Sequence, residues 1–418
     1  MRAGWCSPAN LRPGVGLHEL LLRLQWDFIF LHEAQSKWYG RRHCEGTCSS
    51  RGRPVRTVWN RDQEEQYLTV ETVTAADKME TPAWVRTLLS LAGTLAAMSV
   101  LVWVLGANPL EVVEAIVIGA LGNPFNIGQT VVITGILILT ALAAAIPFSA
   151  RLWNVGGEGQ MTVGAVAAAV LGIVLPGTWS PWLLVPVVMM GSMAAGALYG
   201  AVPGWLKARF DASEIVTSLM LNFVAASLAA WVIFEVYPEG FVQRTEAIHV
   251  NAELPRPIEG SLVDIGIIIA VATAVIAWFV MRHTRLGFSI RAIGANNPAS
   301  RLSGIRTERV TVQTFLMAGA FAGLAGSLIV QGRDHSLLQD FSANLGFLGI
   351  GVALVARLHP LWIIASATFF AVLRVGSNSL QAGAGLSPVV GEIVIATFVI
   401  LLMVTKVIKF RYPESVDA

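Results

Sequence analysis

Asn154, Glu158 and Gln160 share a seven-residue stretch, Asn-Val-Gly-Gly-Glu-Gly-Gln, between two long apolar runs. Amide and carboxylate groups are costly in hydrocarbon, so at membrane depth they face a cavity, one another or an interface. Two readings stay open. The stretch is an ordinary loop with Glu158 solvated, or it folds back into a helical bundle. In the second case its glycines permit unwound backbone and helix N-termini offer donors. Other isolated polar residues interrupt apolar runs: Thr217, Ser218, Asn222, Gln313 and Asn344. Asn222 is able to bind a solute or to fasten two helices, and such a bond is worth about 1 kcal/mol or less. Phe223 and Phe347 offer walls for a ring, in a chain with 18 phenylalanines.

A second cluster is cationic. Six arginines (282, 285, 291, 301, 306 and 309) and one acid, Glu308, fall within residues 282–309. Gly294 and the sequence Ala295-Asn296-Asn297-Pro298 suit a turn followed by a helix start. Pro298 fits a first helical position after an asparagine cap, and Gly304 a helix end. A short helix over 298–302 is therefore expected, a rigid knob for a soluble partner. Lipid headgroups would also attract the arginines, by about 1 kcal/mol each, but would not require the glycines, the cap or the turn.

The elements that carry these residues are membrane-grade. Of 418 residues 55% are hydrophobic and 13% charged, against about 25% charged in soluble domains. A span needs about 20 apolar residues. Ten crossings are expected: 88–105, 130–148, 161–175, 182–202, 217–234, 263–281, 310–330, 345–356, 361–373 and 389–408. The pair 345–356 and 361–373 is short and reads as two tilted or partly broken helices, with a re-entrant pair as the alternative. The fold class is thus an all-α polytopic membrane protein of about ten helices. With both termini inside, 14 lysines and arginines fall on inside segments and four on outside ones. That bias places residues 282–309 in the cytosol.

Residues 1–80 differ: charged, with no sustained apolar run. They read as a non-conforming extension, with a second start plausible at Met79, or as a disordered or partner-docked cytosolic segment. Cys6, Cys44 and Cys48 all lie there, and Cys44, Cys48 and His43 supply too few ligands at suitable spacing for a zinc site. Residues 412–418 form a tail. His249, His283, His335 and His359 are scattered over both faces, which argues against a membrane enzyme. The acids Glu111, Glu114, Glu158, Glu214 and Glu392 lie near helix ends, which argues against an ion-coupled transporter. No Gly-x-x-x-x-Gly-Lys-Ser/Thr phosphate loop occurs, so ATP hydrolysis belongs elsewhere.

From about Met79 the chain resembles the permeases of ABC importers, in the branched-chain amino acid, ribose and nucleoside superfamily. Three stretches carry the resemblance. Residues 152–160, Leu-Trp-Asn-Val-Gly-Gly-Glu-Gly-Gln, look like the signature of the nucleoside and simple-sugar branch, with Trp153 and Val155 as mild departures. Residues 291–296 with Ala299 and Ser303-Gly304-Ile305 look like the cytoplasmic coupling segment. Residues 206–222, with Ala208-Arg209-Phe210, Glu214-Ile215-Val216 and Leu219-Met220-Leu221-Asn222, look like a loop and helix of nucleoside permeases. The resemblance implies the ABC importer permease fold over 81–411, in a bacterial cytoplasmic membrane. It implies a second permease subunit, like or related. It implies two ATPase subunits carrying ATP and Mg, and an extracytoplasmic binding protein or lipoprotein; no cofactor is implied on this chain. It makes Asn154, Glu158, Gln160, Asn222, Phe223, Asn344 and Phe347 candidates for the solute path. Arg291, Gly294, Asn296, Pro298, Arg301 and Gly304 become candidates for coupling. A nucleoside is the expected solute, with ribose or another simple sugar as the alternative.

Overall fold

The computed structural model describes residues 108–240, 242–257 and 262–378, with isolated positions Ser99, Val100, Trp103, Leu380, Ile393, Ala396 and Thr397. The chain divides into two units, Met1–Glu80 and Thr81–Ala418, and every described residue belongs to the second. The crossings expected at 88–105 and 389–408, the cysteine-bearing extension and the C-terminal tail lie largely or wholly outside the described residues.

Eleven α-helices follow in order: α1 Pro109–Leu121, α2 Pro124–Ser149, α3 Gly157–Val174, α4 Pro181–Phe210, α5 Glu214–Trp231, α6 Gly266–His283, α7 Arg285–Ala295, α8 Asn297–Leu302, α9 Thr307–Leu328, α10 Leu345–Val355 and α11 Pro360–Ser377. Helices α5 and α9 run on into π-helical turns, Val232–Val236 and Ile329–Asp334. The helix starts are written in the sequence. Asn108 and Asn123 each cap a helix that opens with proline, accepting from Leu110 N (3.1 Å) and Asn126 N (2.8 Å). Their side chains satisfy a backbone donor that the first turn leaves free.

Seven of the described helices are long and apolar enough to span a bilayer. The fold is all-α and multi-pass, and seven, not ten, is the number that the described residues carry. The differences have physical causes. The 361–373 segment, short by hydropathy, belongs to the 18-residue helix Pro360–Ser377, which continues past Arg374 to Ser377. Segment 345–356 stays short: α10 has 11 residues, about 16 Å of helix, half of a hydrocarbon core of about 30 Å. Helix α1 was not expected, because the 13 residues between Asn108 and Gly122, two of them glutamates, are too few to span.

Helix α2 is the central post. Its most apolar 18-residue window is 89% buried, against 22% for α5 and 28% for α6, which lie at the edge of the bundle. Helices α3, α4 and α9 close around glycines. A Cβ on Gly323 would sit 2.3 Å from Ser192 O, and one on Gly326 2.2 Å from Met161 O. Small residues let backbones approach where lipid supplies no hydrophobic drive between helices.

Candidate solute path and coupling surface

Helix α2 ends at Ser149, and the chain then turns back along it. Asn154 Nδ2 donates to Ala143 O at 3.2 Å, six residues before that end, so the backbone has climbed about 9 Å beside the helix it has just left. Of the two readings of 154–160, folding back into the bundle is the observed one. Asn154 and Gln160, each 1% exposed, form a reciprocal pair. Asn154 Nδ2 donates to Gln160 Oε1 and Gln160 Nε2 donates to Asn154 Oδ1, both at 3.1 Å. Asn154 Oδ1 also accepts from Gly156 N at 3.1 Å.

Asn222 on α5 grips the same stretch from the other side. Its Oδ1 accepts from Gly159 N at 2.8 Å and its Nδ2 donates to Val155 O at 3.1 Å. Ser218 Oγ accepts from Val155 N at 3.3 Å. These bonds fasten α5 to the 155–159 backbone. Glycine is required here: a Cβ on Gly159 would lie 2.7 Å from Asn222 Oδ1.

Glu158 opens α3 and reaches across to α10. Its Oε2 accepts from Gly346 N at 2.8 Å. Asn344, at the cap position of α10, is left-handed (φ 62°) and makes no side-chain cap. Glu158 therefore caps a helix whose start, Leu345 and Gly346, is buried, and one turn further along Gly349 packs on Thr140 of α2. A carboxylate there also suits the positive end of the helix dipole. Phe347 is half-buried beside it and Asn344 is exposed. Phe223 points out of the bundle, 65% exposed, apart from the polar cluster that its neighbour Asn222 joins.

The cationic segment folds as an elbow, α7 then α8. Helix α7 was not expected; Leu286, Ile290 and Ile293 at helical spacing were its signal. Gly294 is not in a turn, as the sequence suggested, but inside α7, where a Cβ would meet Ser149 O at 2.0 Å. Arg291 donates to Met281 O and so ties α7 to the end of α6. The turn falls at Asn296, whose Oδ1 accepts from Ala299 N at 3.1 Å, with Pro298 second in the short helix. Gly304 ends the elbow at φ 82°. Arg301 Nε donates to Thr307 Oγ1 at 2.9 Å. Pro298, Arg301 and Leu302 remain exposed, Leu302 at 91%. Leu302 was not singled out from sequence, although an apolar residue closing a basic, capped helix was visible there.

A cavity of about 490 Å³ joins this elbow to the α4–α5 turn, between Arg151, Lys207, Glu214 and Asn296 through Pro298. Lys207 Nζ pairs with Asp211 (2.9 Å) and Glu214 (3.3 Å). Lys207 holds the Asp211 carboxyl below its usual range, and Arg301 acts weakly in the same direction. At the other end of the bundle, residues 245–254 pack on the tail of α9. Thr245 N donates to Leu337 O, Ile248 N to His335 O and Leu254 N to Gln331 O, each at 2.9 Å. Among the described residues no three His, Cys, Asp or Glu side chains are grouped to hold a metal.

An all-α bundle with a capped half-helix at its centre and a cationic elbow at one end is the architecture of a transport subunit. The chain belongs to the family described as branched-chain amino acid transport system / permease component, which residues 126–404 match. It is a non-catalytic, membrane-spanning permease of the ABC importer class. Among its relatives is the guanosine ABC transporter permease protein NupP of Bacillus subtilis, 31% identical over 76% of this chain and 92% of the relative. The nucleoside ABC transporter permease protein NupB of Lactococcus lactis is 32% identical over 74% and 88%. The glucose ABC transporter permease protein TsgB13 of Haloferax volcanii is 31% identical over 79% and 90%.

Proposed function

We propose that this permease carries uncharged nucleosides into the cell. The observation that carries the reading is the similarity, at 31% and 32% identity, to permeases named for guanosine and nucleosides. The geometry around Glu158 supports an uncharged solute. Half-helix N-termini in transporters are where anionic solute groups are held. Here a carboxyl group of the protein takes that place on α10 and occupies Gly346 N, so that helix start is not free to hold a phosphate or carboxylate of the solute. A neutral ring with hydroxyls suits such a path, with Phe347 as an apolar wall. The similarity to a glucose permease keeps a simple sugar as the second reading.

The working assembly in this reading has two permease subunits, alike or related, two ATPase subunits holding ATP and Mg, and an extracytoplasmic binding protein. The membrane is a bacterial cytoplasmic membrane. The seven described spans, one crossing made by the non-helical stretch 335–344 together with the short α10, and the apolar stretches 88–105 and 389–408 give ten crossings with both termini cytoplasmic, an arrangement supported by the arginine and lysine distribution. The elbow is the coupling surface: Pro298, Arg301 and Leu302 meet the ATPase subunit, with Leu302 as the apolar anchor. Arg291, Gly294, Asn296 and Gly304 hold the elbow's shape and seat it on α2 and α6, so that its motion reaches the ends of those helices.

The test is uptake into vesicles containing the permease with its neighbouring ATPase and binding protein. Nucleosides should accumulate on ATP addition, with pentoses and hexoses near background and nucleotides excluded. Accumulation of sugars alone would establish the second reading.

A further inference from the structure

Helices α4 and α9 are in glycine contact through Gly196, Gly200, Gly319 and Gly323. The contact continues to Gly204, where Phe315 packs on the backbone, its Cβ 2.8 Å and its ring 3.1 Å from the position of a glycine Cβ. Beyond that point lies an open groove of about 390 Å³, lined by Trp205, Arg209, Glu308, Arg309, Val312 and Gln313 among others. It opens at the end of the bundle that carries the cationic elbow. Neither the Arg209 nor the Arg309 side chain makes a hydrogen bond or ion pair among the described residues. Trp205, 53% exposed, stands at the mouth and is braced edge-to-face by Phe210 at 5.4 Å.

An apolar lane leads to this groove. Leu198, Val202, Trp205 and Arg209 follow one another at spacings of four, three and four, so they share one face of α4. Leu198 is 68% and Val202 40% exposed. An indole at the polar boundary of a span marks the headgroup level. Two guanidiniums against the single carboxylate of Glu308 leave the groove one positive charge in excess. Guanidinium matches phosphate geometrically, through paired donors.

We propose that the groove between α4 and α9 is a site for an anionic phospholipid. The phosphodiester lies between Arg209 and Arg309, and an acyl chain runs along Leu198 and Val202. The net charge of the pocket fits a monoanionic headgroup such as phosphatidylglycerol. A zwitterionic headgroup would bring its own cation and leave the excess uncompensated. The site joins two helices in close glycine contact, so an occupied pocket fixes the spacing of their ends beside the elbow.

Native mass spectrometry of the full-length permease with its ATPase subunits tests this, using phosphatidylglycerol, phosphatidylcholine, phosphatidylethanolamine and inorganic phosphate as separate probes. Phosphatidylglycerol should be retained about tenfold better than the zwitterionic lipids. The double variant Arg209→Gln, Arg309→Gln should lose that preference, while Arg282→Gln should keep it. Unfolding of each variant is monitored in parallel. A second variant, Val202→Asp, blocks the lane without touching the arginines and should also weaken retention. Equal retention of all three lipids, displacement by inorganic phosphate, or unchanged retention in the double variant would each overturn the proposal. Loss of the ATPase subunits from the double variant with lipid retention intact would instead make the pocket a protein contact.

Discussion

Asn154 and Gln160 exchange two hydrogen bonds of 3.1 Å across the turn that reverses the chain between α2 and α3. Both side chains are buried, so removing Asn154 leaves the Gln160 amide unpaired, at a cost of about 1–3 kcal/mol, whereas Asn154 without Gln160 keeps its bonds with Ala143 O and Gly156 N. Asn154→Ala and Gln160→Ala should each lower the thermal unfolding midpoint in detergent. The double variant should lose less than the sum of the two, because the pair acts as one unit. Additive losses would show that the two amides work independently.

Glu158 caps α10 from another helix. Glu158→Ala should destabilise the chain by about 0.5–2 kcal/mol, the usual range for a lost cap. Glu158→Gln keeps a carbonyl acceptor for Gly346 N and should retain most of the stability. If occupation of Gly346 N excludes anionic solutes, the alanine variant should also admit nucleotides that the parent rejects. The measurements are unfolding midpoints and competition by nucleotides in the vesicle uptake assay. An alanine variant as stable as the parent would remove the capping role.

The glycines differ sharply in what they tolerate. A Cβ on Gly164 would lie 2.3 Å from the Cα of Gly323, whereas the nearest atom to a Cβ on Gly157 is Gly346 O at 3.8 Å. Gly164→Ala should cost about 1–3 kcal/mol through overpacking and reduce the yield of folded protein. Gly157→Ala should change little. Size-exclusion recovery from solubilised membranes would rank the two, and the opposite order would contradict the α3–α9 packing.

Much of this arrangement can be read from residue types. Asn-Pro pairs mark the starts of α1, α2 and α8 because cap and fixed φ act locally, and Gly304 marks the elbow's end for the same reason. Segment 154–160 could not be settled that way. An amide reads alike whether its partner is water or another amide, and the partners of Asn154 lie on α2 and α3. Asn222 posed the same ambiguity, since its contacts are 63 and 67 positions away in sequence. Hydropathy missed α1 and α7 because it scores spans, whereas α1 is too short and α7 is amphipathic.

Leu302 and Arg301 define the exposed tip of the elbow. Leu302→Asp or Arg301→Glu should sharply reduce co-purification of the ATPase subunits and ATP-dependent uptake. Unfolding midpoints should be nearly unchanged, since substitutions at exposed positions typically move stability by less than about 0.5 kcal/mol. Normal uptake in both variants would place the coupling contact elsewhere.

The sidedness of the elbow is open to direct measurement with a cysteine at Ala295, which is exposed, after Cys6, Cys44 and Cys48 are changed to serine. A membrane-impermeant maleimide should label Ala295→Cys in inside-out vesicles, less so once the ATPase subunits are bound, and leave it untouched in intact cells. Labelling of intact cells would put the arginine-rich segment outside and contradict ATP-driven import through this chain.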